Sequence, residues 1–222
     1  MSNQTSPNSD IRAVLWDFGG VFTTSPFEAF TTFEADRGLP KDFIRSINAT
    51  NPDDNAWAKM ERNDVTKAEF GDLFEVESRA AGHAINGSEI LPLLSGRIQP
   101  EMVTALSIVA KHYKTACLTN NMQTGHGPSM TGDADKAADI AKIMEIFELV
   151  VESSKIGVRK PEPKFYQTAC EMLGVEPSQA VFMDDLGVNL KPAKAMGMTT
   201  IKVLSAGQAI EDLEAILGIS LR

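Results

Sequence analysis

Ala13-Val14-Leu15-Trp16-Asp17-Phe18-Gly19-Gly20-Val21 is the stretch that decides how the rest of the chain is read. Four apolar residues in an unbroken run show neither the stripe of a helix nor the alternation of a half-exposed strand. They fit a short strand buried on both faces and ending in a turn. Such a strand belongs to a parallel sheet covered by helices, and it delivers the Asp17 carboxylate to the sheet's C-terminal edge. Taken alone, an acid here opens a turn. With Gly19 and Gly20 behind it, where the backbone can approach a ligand closely, Asp17 is also a candidate nucleophile and metal ligand.

Outward from this strand the chain changes register twice. Residues 1–10 are polar and read as a flexible tail. From about Pro26 to Ser95 apolar residues recur three and four apart, as in Phe27, Phe30, Phe33 and in Phe70, Leu73, Phe74, so this stretch reads as helical. Breakers at Gly38-Leu39-Pro40, Asn51-Pro52 and Asn86-Gly87 divide it into short helices. After Pro100, helices at 101–112, 136–146, 162–173, 188–196 and 207–217 alternate with strands at 115–119, 148–151, 180–183 and 199–203. That order predicts an α/β fold, a Rossmann-like parallel sheet core with an inserted helical cap domain. The core comprises 11–24 and 96–222, and the cap 25–95.

Ligands of open parallel sheets bind beyond the carboxyl ends of the strands. Three further strand ends carry suitable side chains. Cys117-Leu118-Thr119-Asn120-Asn121 brings a hydroxyl that can donate to a phosphoryl oxygen, although the same residues suit a helix cap or an Asx-turn. Lys160-Pro161-Glu162-Pro163 holds a cation just ahead of two prolines, of the kind that neutralises a carboxylate and a transferring phosphoryl group together. Its neighbour Arg159 reads as a surface residue. Phe182-Met183-Asp184-Asp185 ends an apolar strand in adjacent carboxylates, which repel unless a cation joins them. Magnesium, with oxygen ligands and retained waters, suits one direct and one water-mediated carboxylate.

In this order, WDFGGVF, LTNN, RKPEPKFY and FMDD resemble the four motifs of the haloacid dehalogenase superfamily. The helical insertion is similar to the cap of the branch that includes β-phosphoglucomutase and the N-terminal phosphatase domain of soluble epoxide hydrolase. The resemblance implies a magnesium-dependent hydrolase passing through an aspartyl-phosphate. It makes Asp17 nucleophile and metal ligand, with the Gly19 carbonyl as a second ligand beside Gly20 in the phosphate-binding loop. Thr119 and Asn120 would hold phosphoryl oxygens, Lys160 would bridge Asp17 and the phosphoryl group, Asp185 would bind magnesium directly and Asp184 through water.

One position departs from the pattern. Phosphatases of this family usually carry a second Asp two residues after the nucleophile, as general acid and base; here it is Gly19. Such a group contributes about 10²–10⁴ in rate. Three readings follow: leaving groups that need little protonation, a substitute such as His126, or a protein that binds phosphorylated ligands with little or no turnover. A dehalogenase would leave the Asp184-Asp185 pair unexplained. A phosphonate-cleaving enzyme would need a cap lysine, for which Lys41, Lys59 and Lys67 are available. His83 and His112 lack the spacing of a metal site.

Composition bounds the partners. The 222 residues carry 30 acidic against 21 basic side chains, a formal charge of −9, and the cations form no stripe. Nucleic acid is therefore disfavoured as a partner and none is expected, whereas a small phosphorylated metabolite is compatible. The two cysteines, Cys117 and Cys170, sit in apolar segments and read as buried thiols. No apolar run spans a membrane, and the first residues lack the pattern of a signal peptide, so a cytoplasmic monomer or homodimer is expected.

Overall fold

The structure is a computed structural model. It describes residues 10–122, 131 and 133–222. Five strands, β1 (Ala13–Trp16), β2 (Lys114–Thr119), β3 (Leu149–Glu152), β4 (Ala180–Asp184) and β5 (Thr199–Lys202), form one parallel sheet in the order β3-β2-β1-β4-β5. The strand bearing Asp17 is thus central. Alternation of side chains across the sheet builds two cores. Val14, Trp16, Cys117, Val181 and Met183 pack on one face with Met102, Leu106, Ile140, Ile210 and Leu213, while Leu15, Ala116, Leu118 and Phe182 pack on the other with Phe165, Tyr166, Ala169 and Ala193.

The covering helices are α5 (Pro100–Val109), α6 (Ala134–Met144) and α10 (Ala206–Leu217) on the first face, and α8 (Pro163–Leu173) and α9 (Gly187–Ala195) on the second. Pro100 and Pro163 open α5 and α8, where a missing N–H costs nothing. Helix α6 starts two residues before the expected 136, because the Asp133 side chain accepts from the N–H groups of Asp135 and Lys136. A single turn, α7 (Ser153–Ile156), follows β3 directly and was not expected from the sequence.

Between β1 and α5 the chain builds α1 (Phe27–Asp36), α2 (Phe43–Ala49), α3 (Ala56–Glu61) and α4 (Lys67–Ala80). These helices share an apolar cluster of their own, including Phe30, Phe43, Ile44, Ile47, Met60, Phe70 and Phe74, joined by Met122 from the segment after β2. Thr66 and Glu69 form a capping box at the start of α4. The segments that lead into and out of this helical cap run side by side: Thr23 and Ile98 form an antiparallel bridge, Thr24 N donates to Arg97 O and Gln99 N to Phe22 O, both at 2.8 Å. Gly96 is needed there, since a Cβ would lie 2.2 Å from the Thr24 carbonyl oxygen. Among the described residues no helix is long and apolar enough to cross a membrane. Cys117 and Cys170 are free and buried, as expected.

Candidate active site

The sheet register assembles the site. Trp16 pairs with Met183 and the Asp17 N–H donates to the Met183 carbonyl at 2.8 Å, so Asp17 is level with Asp184. Trp16 also pairs with Cys117, which brings Thr119 to the same edge from the other neighbour. Oxygens of Asp17, Asp184 and Asp185 all lie within 4.8 Å of one another.

Lys160 reaches this cluster from the loop before α8. Its Nζ lies 2.8 Å from Asp17 Oδ1 and 2.8 Å from Asp184 Oδ2, and the residue is only 1% exposed. Burial opposes a charged ammonium, but the two carboxylates outweigh it and hold the Lys160 pKa above the ordinary lysine value. Asp184 is wholly buried. Its Oδ1 accepts from Leu186 N at 2.7 Å and Asn189 Nδ2 at 3.1 Å, and its Oδ2 accepts from Asn189 Nδ2 at 3.0 Å and Lys160 Nζ at 2.8 Å. Asn189 is fixed in turn by α9 and by Tyr166, whose hydroxyl donates to the Asn189 carbonyl at 2.7 Å.

Asp17 and Asp185 are less well compensated. Burial raises the Asp17 pKa well above the ordinary aspartate value; the ammonium of Lys160 works against this rise and the carboxylates of Asp184 and Asp185 reinforce it. Burial, then Asp184, raises Asp185 from 3.8 to about 6. Three crowded acids facing one lysine call for a further cation, and a set of hard oxygen donors suits magnesium. Asp17, Asp184 and Asp185 are the carboxylates that could hold it.

The two glycines differ. Gly20 has φ +74°, and a Cβ there would fall 2.3 Å from Asp185 Oδ2, so any side chain would be strained and would displace the Asp185 carboxylate. A Cβ on Gly19 would meet nothing within 4 Å. A side chain at position 19 thus has room to begin, even though the acid is not there.

The remaining candidates fall in several places. The side-chain amide of Asn120 is engaged within the protein: Nδ2 donates to Lys160 O at 2.9 Å and Glu61 Oε2 at 3.0 Å, and Oδ1 accepts from Lys160 N at 2.8 Å. Thr119 is buried at the strand end, and its hydroxyl makes no hydrogen bond to another described residue. Arg159 is not a surface residue. Its side chain is 13% exposed and pairs with Glu61 of α3, a cap residue the sequence did not single out. His126 lies outside the described residues. Lys59 pairs with Asp54 at 3.4 Å, and none of Lys41, Lys59 and Lys67 lines the cleft described below.

Also missed was the end of β3. Asn121 Nδ2 donates to Glu152 Oε2 at 2.6 Å, and its Oδ1 accepts from Ser154 Oγ at 2.8 Å. The signal was present in Leu149-Val150-Val151-Glu152-Ser153-Ser154, an apolar run ending in an acid and two hydroxyls.

A cleft of about 670 Å³ opens beside Asp185 and Gly20. The cap contributes Phe27 and Arg45, and the core contributes Leu186, Val188, Lys202 and Leu204. The Arg45 guanidinium stacks 4.4 Å from the centre of the Phe27 ring. Lys202 Nζ stands 3.7 Å from where a Cβ on Gly187 would be, two residues beyond Asp185.

The family model for haloacid dehalogenase-like hydrolases matches residues 11–197, and the chain belongs to that family. It is 34% identical over 216 residues to acyl-CoA dehydrogenase family member 10 of Mus musculus, covering 95% of this chain and 19% of that protein. It is 27% identical over 224 residues to the mouse bifunctional epoxide hydrolase 2, covering 94% of this chain and 39% of the relative. The chain therefore spans well under half of these two relatives. A phosphatase of Mycobacterium tuberculosis is matched along nearly its whole length, at 30% identity over 93% of this chain and 95% of that protein. In fold, the chain is similar to a haloacid dehalogenase family enzyme of Bacteroides thetaiotaomicron solved with magnesium and inorganic phosphate, with TM-score 0.58, 20% identity and coverage of 91% and 98%.

Proposed function

We propose that this hydrolase is a magnesium-dependent phosphatase acting on a small phosphorylated metabolite through an aspartyl-phosphate on Asp17. The observation that carries the reading is the cluster of Asp17, Asp184 and Asp185 oxygens within 4.8 Å, with Lys160 held between Asp17 and Asp184. The phosphatase of Mycobacterium tuberculosis, similar over nearly its full length, supports it.

In this reading an Asp17 oxygen attacks phosphorus, and the bond to the leaving oxygen breaks with its electron pair. Water then attacks the phosphorus of the aspartyl-phosphate and releases inorganic phosphate and the free carboxylate. Lys160 offsets the negative charge of the nucleophile and the incoming phosphoryl group, already in place and shielded from water. Thr119, with a hydroxyl uncommitted to described residues, donates to a phosphoryl oxygen. Magnesium, held by Asp17, Asp185 and the Gly19 carbonyl, would supply the remaining positive charge. The four hydrogen bonds that reach the Asp184 carboxylate support a role as the anchor of Lys160, with contact to the ion no closer than through water.

With glycine at position 19, no side chain there protonates the leaving oxygen. Substrates with acidic leaving groups, such as acyl or aryl phosphates, are therefore favoured. Arg45 and Lys202 bring two cations to a cleft that Glu28 and Asp185 also line, and the two cations are available to pair with an anionic substrate.

The test is hydrolysis of a series of phosphate esters ordered by leaving-group acidity, with and without magnesium. Turnover is expected to need magnesium, rise with leaving-group acidity and vanish in Asp17→Asn. A wild type as inert as Asp17→Asn across the series would favour the second reading, a phosphometabolite-binding protein, which the missing acid at Gly19 supports.

A further inference from the structure

Glu61 is a carboxylate that the chemistry above does not use, and it is almost sealed from solvent. It ends α3 and so belongs to the cap, yet its side chain engages the core. Oε2 accepts from Asn120 Nδ2 at 3.0 Å and forms an ion pair with Arg159, while Oε1 accepts from Trp57 Nε1 at 3.0 Å and is thereby fixed to its own helix. The main chain docks as well, since the Glu61 carbonyl accepts from Ser153 Oγ at 2.6 Å. Arg159 Nη1 donates to the Pro52 carbonyl at 3.0 Å beside it, and Arg62 pairs with Glu162 at 3.8 Å.

Burying a carboxylate is unfavourable unless its lone pairs are met by donors, so Glu61 is stable only where Asn120 and Arg159 receive it. Those two residues flank the functional lysine in different ways. Arg159 precedes Lys160 in the chain. The Asn120 amide holds both main-chain polar groups of Lys160, accepting from its N–H at 2.8 Å and donating to its carbonyl at 2.9 Å. Glu61 accepts a hydrogen bond only if the Asn120 NH₂ faces it, and that same orientation directs Oδ1 at the Lys160 N–H. An unbroken path of hydrogen bonds and ion pairs therefore runs from the cap through Glu61, Asn120 and Lys160 to Asp17.

We propose that Glu61 is a positioning residue through which seating of the cap sets the place of Lys160 at the nucleophile. When the cap is down, Glu61 orients Asn120 and the Lys160 backbone is held. When the cap lifts, Glu61 leaves with it, and the lysine loses the support that keeps its ammonium between Asp17 and Asp184. Full charge compensation at Asp17 is thus confined to the covered site, where water competes least with the substrate. The catalytic consequence rests on the function proposed above; the structural linkage does not.

The experiment has two arms on the full chain. In the first, magnesium-dependent hydrolysis of p-nitrophenyl phosphate is followed. Glu61→Ala is expected to lower kcat roughly 10- to 100-fold through misplacement of the lysine, with KM unchanged. Glu61→Gln, which keeps an acceptor for Asn120, recovers most of that loss. Combining Glu61→Ala with Asn120→Ala costs no more than the larger single effect, because both act on one path. Additive losses, or a change in KM alone, would overturn the proposal. The second arm needs no activity. Hydrogen exchange at the Arg159 and Lys160 amides, in the core, accelerates in Glu61→Ala and not in the cap surface control Arg79→Ala. Unchanged exchange at those amides overturns the linkage. An inert wild type defeats the proposed phosphatase and leaves the exchange arm to decide this inference.

Discussion

Asp17 and Asp184 share one cation, since Lys160 Nζ lies 2.8 Å from an oxygen of each. Removing it in Lys160→Met leaves two acids, 8% and 0% exposed, facing each other without compensation. Breaking a buried pair in this way costs about 3–5 kcal/mol. Urea unfolding at neutral pH in a chelator is expected to show a loss of that order, and added magnesium to recover part of it. A variant as stable as the wild type in chelator would contradict the description of Lys160 as the principal counter-charge.

Protons would compete for Asp185 with the magnesium ion proposed at this site. Its folded pKa, about 6, exceeds the ordinary value of 3.8, so between these values the folded state binds protons that the unfolded chain has released. The resulting stability is present below about pH 4 and is lost as pH rises through 6. Asp17, raised by burial, adds in the same direction. In chelator the melting temperature should therefore fall from pH 5 to pH 7.5, and magnesium should raise it more at pH 7.5 than at pH 5. Equal magnesium shifts at both pH values, measured by calorimetry, would count against these carboxylates as the ion's ligands.

The adjacent glycines separate space from need. Gly19→Asp fits without displacing a neighbour and is expected to raise cleavage of alkyl phosphates by about 10²–10⁴-fold if the general acid is all that is missing. Gly20→Ala combines an unfavourable φ of +74° with a clash against Asp185, so magnesium-dependent turnover should be lost. The comparison is a rate measurement on paired substrates, one alkyl and one aryl. If Gly19→Asp leaves the alkyl rate unmoved, another group already supplies the proton or the reaction is a different one.

Arg45 and Lys202 both line the cleft, one from the cap and one from the core. Each is exposed, and exposed charges contribute about 1 kcal/mol or less. Arg45→Met and Lys202→Met are accordingly expected to raise KM a few-fold, leave kcat unchanged and flatten its dependence on salt. A fall in kcat without change in KM would place these residues in a different role.

The strand ends were legible because each carried a local contrast, an apolar run closed abruptly by Asp17, Thr119 or Asp184-Asp185. A parallel sheet then brings such ends together whatever their distance along the chain. Boundaries were less legible where a side chain far from the periodic face decides them, as Asp133 does in starting α6 early. Arg159 was misjudged for a related reason. Nothing in its neighbourhood announces a partner 98 residues away, and only the docking of α3 on the core removes it from solvent. Asn120 was recognised as important, but its amide is spent on the Lys160 backbone, a use that spacing cannot reveal. Glu61 closes a helix otherwise read as surface and core, and its significance exists only once the cap is seated.

The paired crossings between core and cap limit how the helical insertion swings. Two segments bridged at Thr23 and Ile98 act as a strap and not as a thread. Bending across the strap keeps its bonds intact, whereas shearing or twisting would break them. The insertion is therefore joined to the core by two mutually bonded segments, which orient α3 towards the strand ends better than a single crossing would.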